Sequence, residues 1–171
     1  LRDAISGQQS GNDMSRIAHR LSELGITLPV LRGPSGTYLP FRQADGLIIL
    51  SGQVPRIDGR DAHQGVVGLD LTVEQGKEAA RAAALNLVSQ LANALDGDLD
   101  RVVCCLQLRG FVRATPDFAD HPAVIDGASE LLLEIFGERG RHARTALGAG
   151  SLPRGFSVEI DAIFQVSNRE T

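Results

Sequence analysis

The sequence predicts an α+β domain, a mixed β-sheet with two long helices packed on one face. Three observations carry this reading. Strand-like runs come first, followed by a helix, a strand, a second helix and two closing strands, the order of a layered α+β fold. Stretches beginning near Thr72 and Pro122 place apolar residues at helical spacing. The closing stretch, Phe156 to Val166, alternates apolar and polar residues with a period of two.

At 171 residues, 43% of them hydrophobic, the chain suits one packed core. It shows neither an internal repeat nor a composition break, so residues 14–171 are read as one domain. An N-terminal helix and connection occupy 14–36 and the core occupies 37–167. Residues 1–13, rich in Ser, Gly, Gln and Asn, are expected to be a leader, because Met14 is the single methionine.

The elements follow in order. Ser15 caps a short helix with Ile17, Leu21 and Leu24 on one face, and Gly25 stops it. Leu28 to Gly36 is an extended connection. Tyr38 to Arg42 is a strand that turns at Ala44-Asp45-Gly46, and Leu47 to Leu50 is a buried strand running into Ser51-Gly52. Asp58-Gly59 marks a turn, with a weak strand after it at Gln64 to Val67. Thr72 and Gln75 form a capping box for a helix reaching about Leu95, and its alanine-rich face calls for close packing. Val102 to Val112 is so apolar that burial of both its faces is expected. Pro122 suits the first turn of the next helix, which Gly137 ends. A strand from Ala143 to Ala149 and a Pro153–Gly155 turn lead to the last strand.

Charge and composition narrow the functions. The net charge is −4 with both signs interspersed, and only 4% of residues are aromatic. A nucleic-acid partner is therefore not expected, since it calls for clustered cations or stacking rings. No apolar run reaches the length of a membrane span, and no signal-peptide pattern is visible. Cys104 and Cys105 are adjacent and point to opposite faces of a strand, so they suit a reducing, cytoplasmic setting as small buried hydrophobes. No His/Cys set has metal-ligand spacing.

Two residues stand out as chemistry. Alternation puts Glu159 on the polar face of the last strand, where it is solvated, paired or working. Arg144 opens the preceding strand, and the two strands are close enough in sequence to be neighbours. A guanidinium can grip a substrate carboxylate with two prongs, and a glutamate can position or deprotonate a water. The plain alternative is a salt bridge between them. Other candidates rank lower. His142 is read first as a loop residue, Asp126 as a cap or turn, and Arg109 and Arg113 as edge or interface charges.

These residues also resemble a known family. Ala143-Arg144-Thr145, then Leu152-Pro153, then Val158-Glu159-Ile160, is similar to the C-terminal signature of the RidA/YjgF family, also labelled endoribonuclease L-PSP. Ser51-Gly52-Gln53-Val54-Pro55 is similar to its N-terminal signature, with Tyr38 at the matching distance before it. The resemblance spans Tyr38 to Val166. It implies a chorismate-mutase-like fold assembled as a homotrimer, with three sites in clefts between subunits. It further implies that Arg144 binds a substrate carboxylate and Glu159 helps to activate water. Tyr38, Ser51 and Gly52 would line the cleft, and Ala146 would contribute its backbone carbonyl. The implied reaction is that of a 2-iminobutanoate/2-iminopropanoate deaminase, hydrolysis of 2-imino acids to 2-keto acids and ammonia without metal or organic cofactor. Ala146 stands where members often carry cysteine. Residues 124–129 and 140–144, with the N-terminal helix, mark a divergent branch. A non-catalytic carboxylate-binding trimer and an endoribonuclease or translation inhibitor are the alternatives.

Overall fold

The computed structural model describes residues 15–30 and 36–167. The expected leader and part of the connection before Gly36 lie outside them. The elements are α1 (Arg16–Glu23), β1 (Phe41–Ala44), β2 (Leu47–Gln53), β3 (Arg56–Ile57), β4 (Arg60–Asp61), α2 (Val73–Ala94), β5 (Val102–Arg113), α3 (His121–Phe136), β6 (Ala143–Ala149) and β7 (Val158–Val166). Five strands form one sheet in the order β1-β2-β7-β5-β6, and β3 and β4 make a separate hairpin. All the pairings in the large sheet are antiparallel except β5 with β6. The mixed sheet under two long helices is as the sequence reading has it.

Local chemistry explains the boundaries. Asp45 and Gly46 both have positive φ, 48° and 75°, so the two-residue turn between β1 and β2 matches the twist of the strands. The first strand lies three residues later than expected, at Phe41 rather than Tyr38, since Pro40 has no N–H to give a ladder. The Asp58-Gly59 turn joins β3 to β4. The weak strand at Gln64–Val67 reduces to isolated bridges at its two ends. The capping box is present, with Thr72 N–H donating to Gln75 Oε1 at 2.9 Å and Gln75 N–H to Thr72 Oγ1 at 3.2 Å.

Both helices cover one face of the sheet, burying Ile48, Leu50, Leu108, Ile160, Ala162 and Phe164. The other face is open in the single chain. Burial of both faces of β5 is thus corrected: Val103 and Leu106 keep 43% and 41% of their surface exposed. Among the described residues no layer lies over that side, and the apolar sequence there marks a surface rather than a second interior face.

The expected alanine packing is realised. Ala79, Ala80, Ala83 and Ala84 are fully buried, and α2 lies against α3 so closely that a Cβ at Gly127 would overlap the Lys77 carbonyl. The N-terminal helix is docked on the domain. Asp100 accepts from the Arg16 and Ile17 amides at 2.8 and 2.9 Å, and Arg20 Nε donates to the Glu134 carbonyl at 2.9 Å. Gly127→Ala should therefore lower stability by about 1–3 kcal/mol through overpacking. Chemical denaturation of the variant checks this; an unchanged midpoint would show that the helices part freely.

Candidate functional site

Strand order separates the predicted site residues into two groups. β5 lies between β6 and β7, so the expectation that the Arg144 and Glu159 strands are neighbours is corrected. In register, Arg144 pairs with Leu108 and through it with Ala162, while Glu159 pairs with Phe111. Two strand spacings and three residues of offset put their Cα atoms roughly 14 Å apart. Their faces differ too. Leu108 belongs to the buried helix side, and paired residues share a face, so Arg144 points toward the helices. Glu159 points to the open side. The salt bridge between them is thereby ruled out within one chain, and so is a shared intrachain cleft.

The first group gathers around Glu159 at the β1–β2 side of the sheet. The β2–β7 register shifts between Leu50 and Gln53, a bulge that takes Ser51 and Gly52 out of the regular ladder. Ser51 Oγ donates to the Leu39 carbonyl at 2.6 Å. The Glu159 carboxylate lies against Gly52, so closely that a Cβ there would occupy the same space. Tyr38, half exposed, sits in the bend before β1 beside Gly36. Among the described residues Glu159 has no hydrogen-bond or ion-pair partner. Burial, and then the Asp161 charge, raise its pKa above the ordinary 4.5. Asp161 itself is gripped by Arg109 across the strands, Nε to Oδ1 at 2.8 Å and Nη2 to Oδ2 at 2.9 Å.

The second group lies at the β6 edge. Arg144 Nη1 donates to Asp126 Oδ1 at 2.6 Å and to Ser129 Oγ at 3.1 Å. Ser129 Oγ is also 3.0 Å from His142 Nε2, and His142 Nδ1 is 2.7 Å from the Gly140 carbonyl. Burial lowers the His142 pKa, and the Arg144 charge lowers it further against the opposing hydrogen bond to Gly140. Ser129, His142 and Arg144 border an open cavity of about 280 Å³ with Glu130, Leu133, Gly140 and Arg141. Ala146, two residues on from Arg144, faces the same side. Asp126 is not a helix-start cap: α3 begins at His121, and the Asp126 side chain is the ion-pair partner of Arg144. Sequence reading missed Ser129 altogether. The signal was there in the i, i+3 spacing of Asp126 and Ser129, which puts both on one face of a helix.

Among the described residues no cluster of three or more His, Cys, Asp or Glu is placed to hold a metal ion. Burial pushes the Cys105 thiol up to about 12, in keeping with a core residue. No helix among the described residues is long and apolar enough to cross a membrane.

A layered α+β protein whose candidate site residues sit on opposite faces of one sheet, one group at its β6 edge and one around its central strand β7, is the class these features define. The chain belongs to the family described as YjgF/chorismate mutase-like, putative endoribonuclease, whose model matches residues 18–159. Its relatives include a Trypanosoma cruzi protein called TCP17, 44% identical over 90% of this chain and 96% of that one. Among solved structures, a protein of unknown function from Agrobacterium tumefaciens is 43% identical, with a TM-score of 0.82 over 88% of this chain and 94% of its own. A Shewanella oneidensis protein described as a putative endoribonuclease is 35% identical, with a TM-score of 0.85 over 88% and 99%.

The Glu159 environment sets a sign for pH. With its folded pKa raised, the native state binds the proton more tightly than the unfolded chain does. Stability is therefore lost as pH rises from the unfolded pKa through the folded one. Glu159→Gln removes that loss. Its melting temperature should exceed that of the native chain by a margin that grows as pH rises above 4.5, and a pH-independent difference would contradict a desolvated carboxylate.

Proposed function

We propose that the protein hydrolyses reactive 2-imino or enamine acids to 2-keto acids and ammonia in clefts between copies of the chain. Arg144 of one copy anchors the substrate carboxylate, and Glu159 of the next takes a proton from water. The water oxygen bonds to the imine carbon, the proton passes to nitrogen, and collapse of the carbinolamine expels ammonia and leaves the keto acid. The supporting observation is the division of the site: a guanidinium on the edge strand β6 facing the helices, and on the central strand β7 a carboxylate facing the open side, unpartnered among the described residues. Neither half performs the reaction alone, and a second copy of the chain would supply the complementary half. The open sheet face supports such assembly, since Ile49 and Leu147 keep 53% and 52% of their surface exposed on it. A homotrimer is the assembly the family resemblance suggests. Tyr38, Ser51 and Gly52 line the Glu159 half of the cleft, and Ala146 lines the Arg144 half. The free thiols Cys104 and Cys105 fit a reducing, cytoplasmic setting.

An RNA-cleaving role, named in the family description and for the Shewanella relative, has less physical support in a chain of net charge −4.

Freshly generated 2-iminobutanoate is the test substrate, with ammonia release as the readout. Arg144→Ala and Glu159→Gln should each lose about 10²–10⁴-fold in rate while keeping the assembly. Mixed by co-expression in equal amounts, they should regain about a quarter of native activity, because one cleft in four then draws both intact halves from neighbouring copies. No recovery in mixed assemblies would refute the shared cleft. An inactive native protein, or RNA cleavage that depends on Glu159, would refute the reaction.

A further inference from the structure

We infer that Asp126, Ser129 and His142 form a positioning chain that clamps Arg144 by a single nitrogen and selects small monocarboxylates at its remaining edge. The inference rests on Arg144 being a carboxylate anchor, and it concerns what holds the anchor and what it admits.

The chain has a direction imposed by a backbone carbonyl. Gly140 O can only accept, so His142 Nδ1 carries the hydrogen across the 2.7 Å contact. The neutral ring then presents a lone pair at Nε2, and the Ser129 hydroxyl donates to it across 3.0 Å. That leaves the Ser129 oxygen free to accept from Arg144 Nη1 at 3.1 Å, while the other Nη1 hydrogen goes to Asp126 at 2.6 Å. Both hydrogens of Nη1 are thus used. Among the described residues neither Nε nor Nη2 has a partner, and these two atoms make up the side-on fork that receives a carboxylate with two parallel bonds. The end-on approach, which needs Nη1, is closed.

The charges around the cavity set the class of ligand. Arg144 is paired with Asp126, Arg141 with Glu138 at 2.8 Å, and Glu130 with Lys77 at 2.7 Å. Each cation there already faces an acid. A single carboxylate docks on the open edge of Arg144, whereas a second carboxylate or a phosphate dianion finds no cation around the cavity, among the described residues, without an acid partner of its own. Ser129 and His142 act through Arg144, so all three are positioning residues.

Two measurements on the assembled full-length chain test this. The first is ¹⁵N NMR of the arginine side chains without ligand, with Arg144 assigned by loss of its signals in Arg144→Lys. Held by Nη1, Arg144 should show separate, slowly exchanging Nη signals that merge in Asp126→Ala and broaden less in Asp126→Asn, which keeps an acceptor. The second is calorimetric titration with 2-oxobutanoate and with 2-oxoglutarate. Asp126→Ala and Ser129→Ala should each weaken 2-oxobutanoate binding about tenfold, as loss of a hydrogen bond to a charged group does. Asp126→Asn should recover part of that loss, and 2-oxoglutarate should bind no more tightly than 2-oxobutanoate to the native chain. Unchanged Arg144 signals in Asp126→Ala overturn the clamp. Tight 2-oxoglutarate binding overturns the monocarboxylate selection. If the native chain does not bind 2-oxobutanoate, or Arg144→Ala binds it equally well, the anchor reading of Arg144 fails; the monocarboxylate selection falls with it, and the NMR signals alone decide the clamp.

Discussion

The pairing of β5 with both β6 and β7 organises the rest of the molecule. Because β5 runs between them, the two strands that carry Arg144 and Glu159 never touch. The register of that pairing also fixes faces: Leu108 and Ala162 go under the helices with Arg144, while Phe111 and Glu159 turn to the open side. One three-strand ladder therefore decides where each polar side chain points and how far apart they lie. The helices reinforce the arrangement by covering one face only.

The two halves are tuned by different physics. Around Glu159 the dominant influence is loss of water, with a like charge at Asp161 adding to it, while Arg109 neutralises Asp161 and keeps it in place. The result is a carboxyl group without a partner among the described residues, with the bulge laying Gly52 beside it. Around Arg144 the dominant influence is hydrogen bonding of fixed direction, from a carbonyl through an imidazole and a hydroxyl to a guanidinium. One half keeps a group free, and the other holds a group still.

Much of this was legible in the sequence. The capping box at Thr72, the Asp-Gly turns and the alternation of β7 come from local chemistry, and each appears where local chemistry puts it. The motifs around Ser51, Arg144 and Glu159 identified the family before any coordinates. What failed was long-range. Succession in sequence suggested that β6 and β7 were neighbours, but nothing local to either strand reports that β5 inserts between them. The apolar character of β5 predicts two buried faces, because an exposed apolar face and a buried one read alike in a single chain. The role of Asp126 was missed for a related reason. Its proximity to Arg144 depends on where α3 crosses the sheet edge, which the spacing of residues within α3 does not contain.

The contact between Gly127 and the Lys77 carbonyl has a bearing on how such a protein can diverge. Gly127 lies between Asp126 and Ser129, so the residue that lets α3 approach α2 is embedded in the segment that holds Arg144. Drift in this stretch is judged twice, once by packing and once by the hydrogen bonds to Arg144, and few substitutions satisfy both. Variation in this lineage would accordingly settle more readily outside this stretch, with the segment from Asp126 to Ser129 inherited nearly intact.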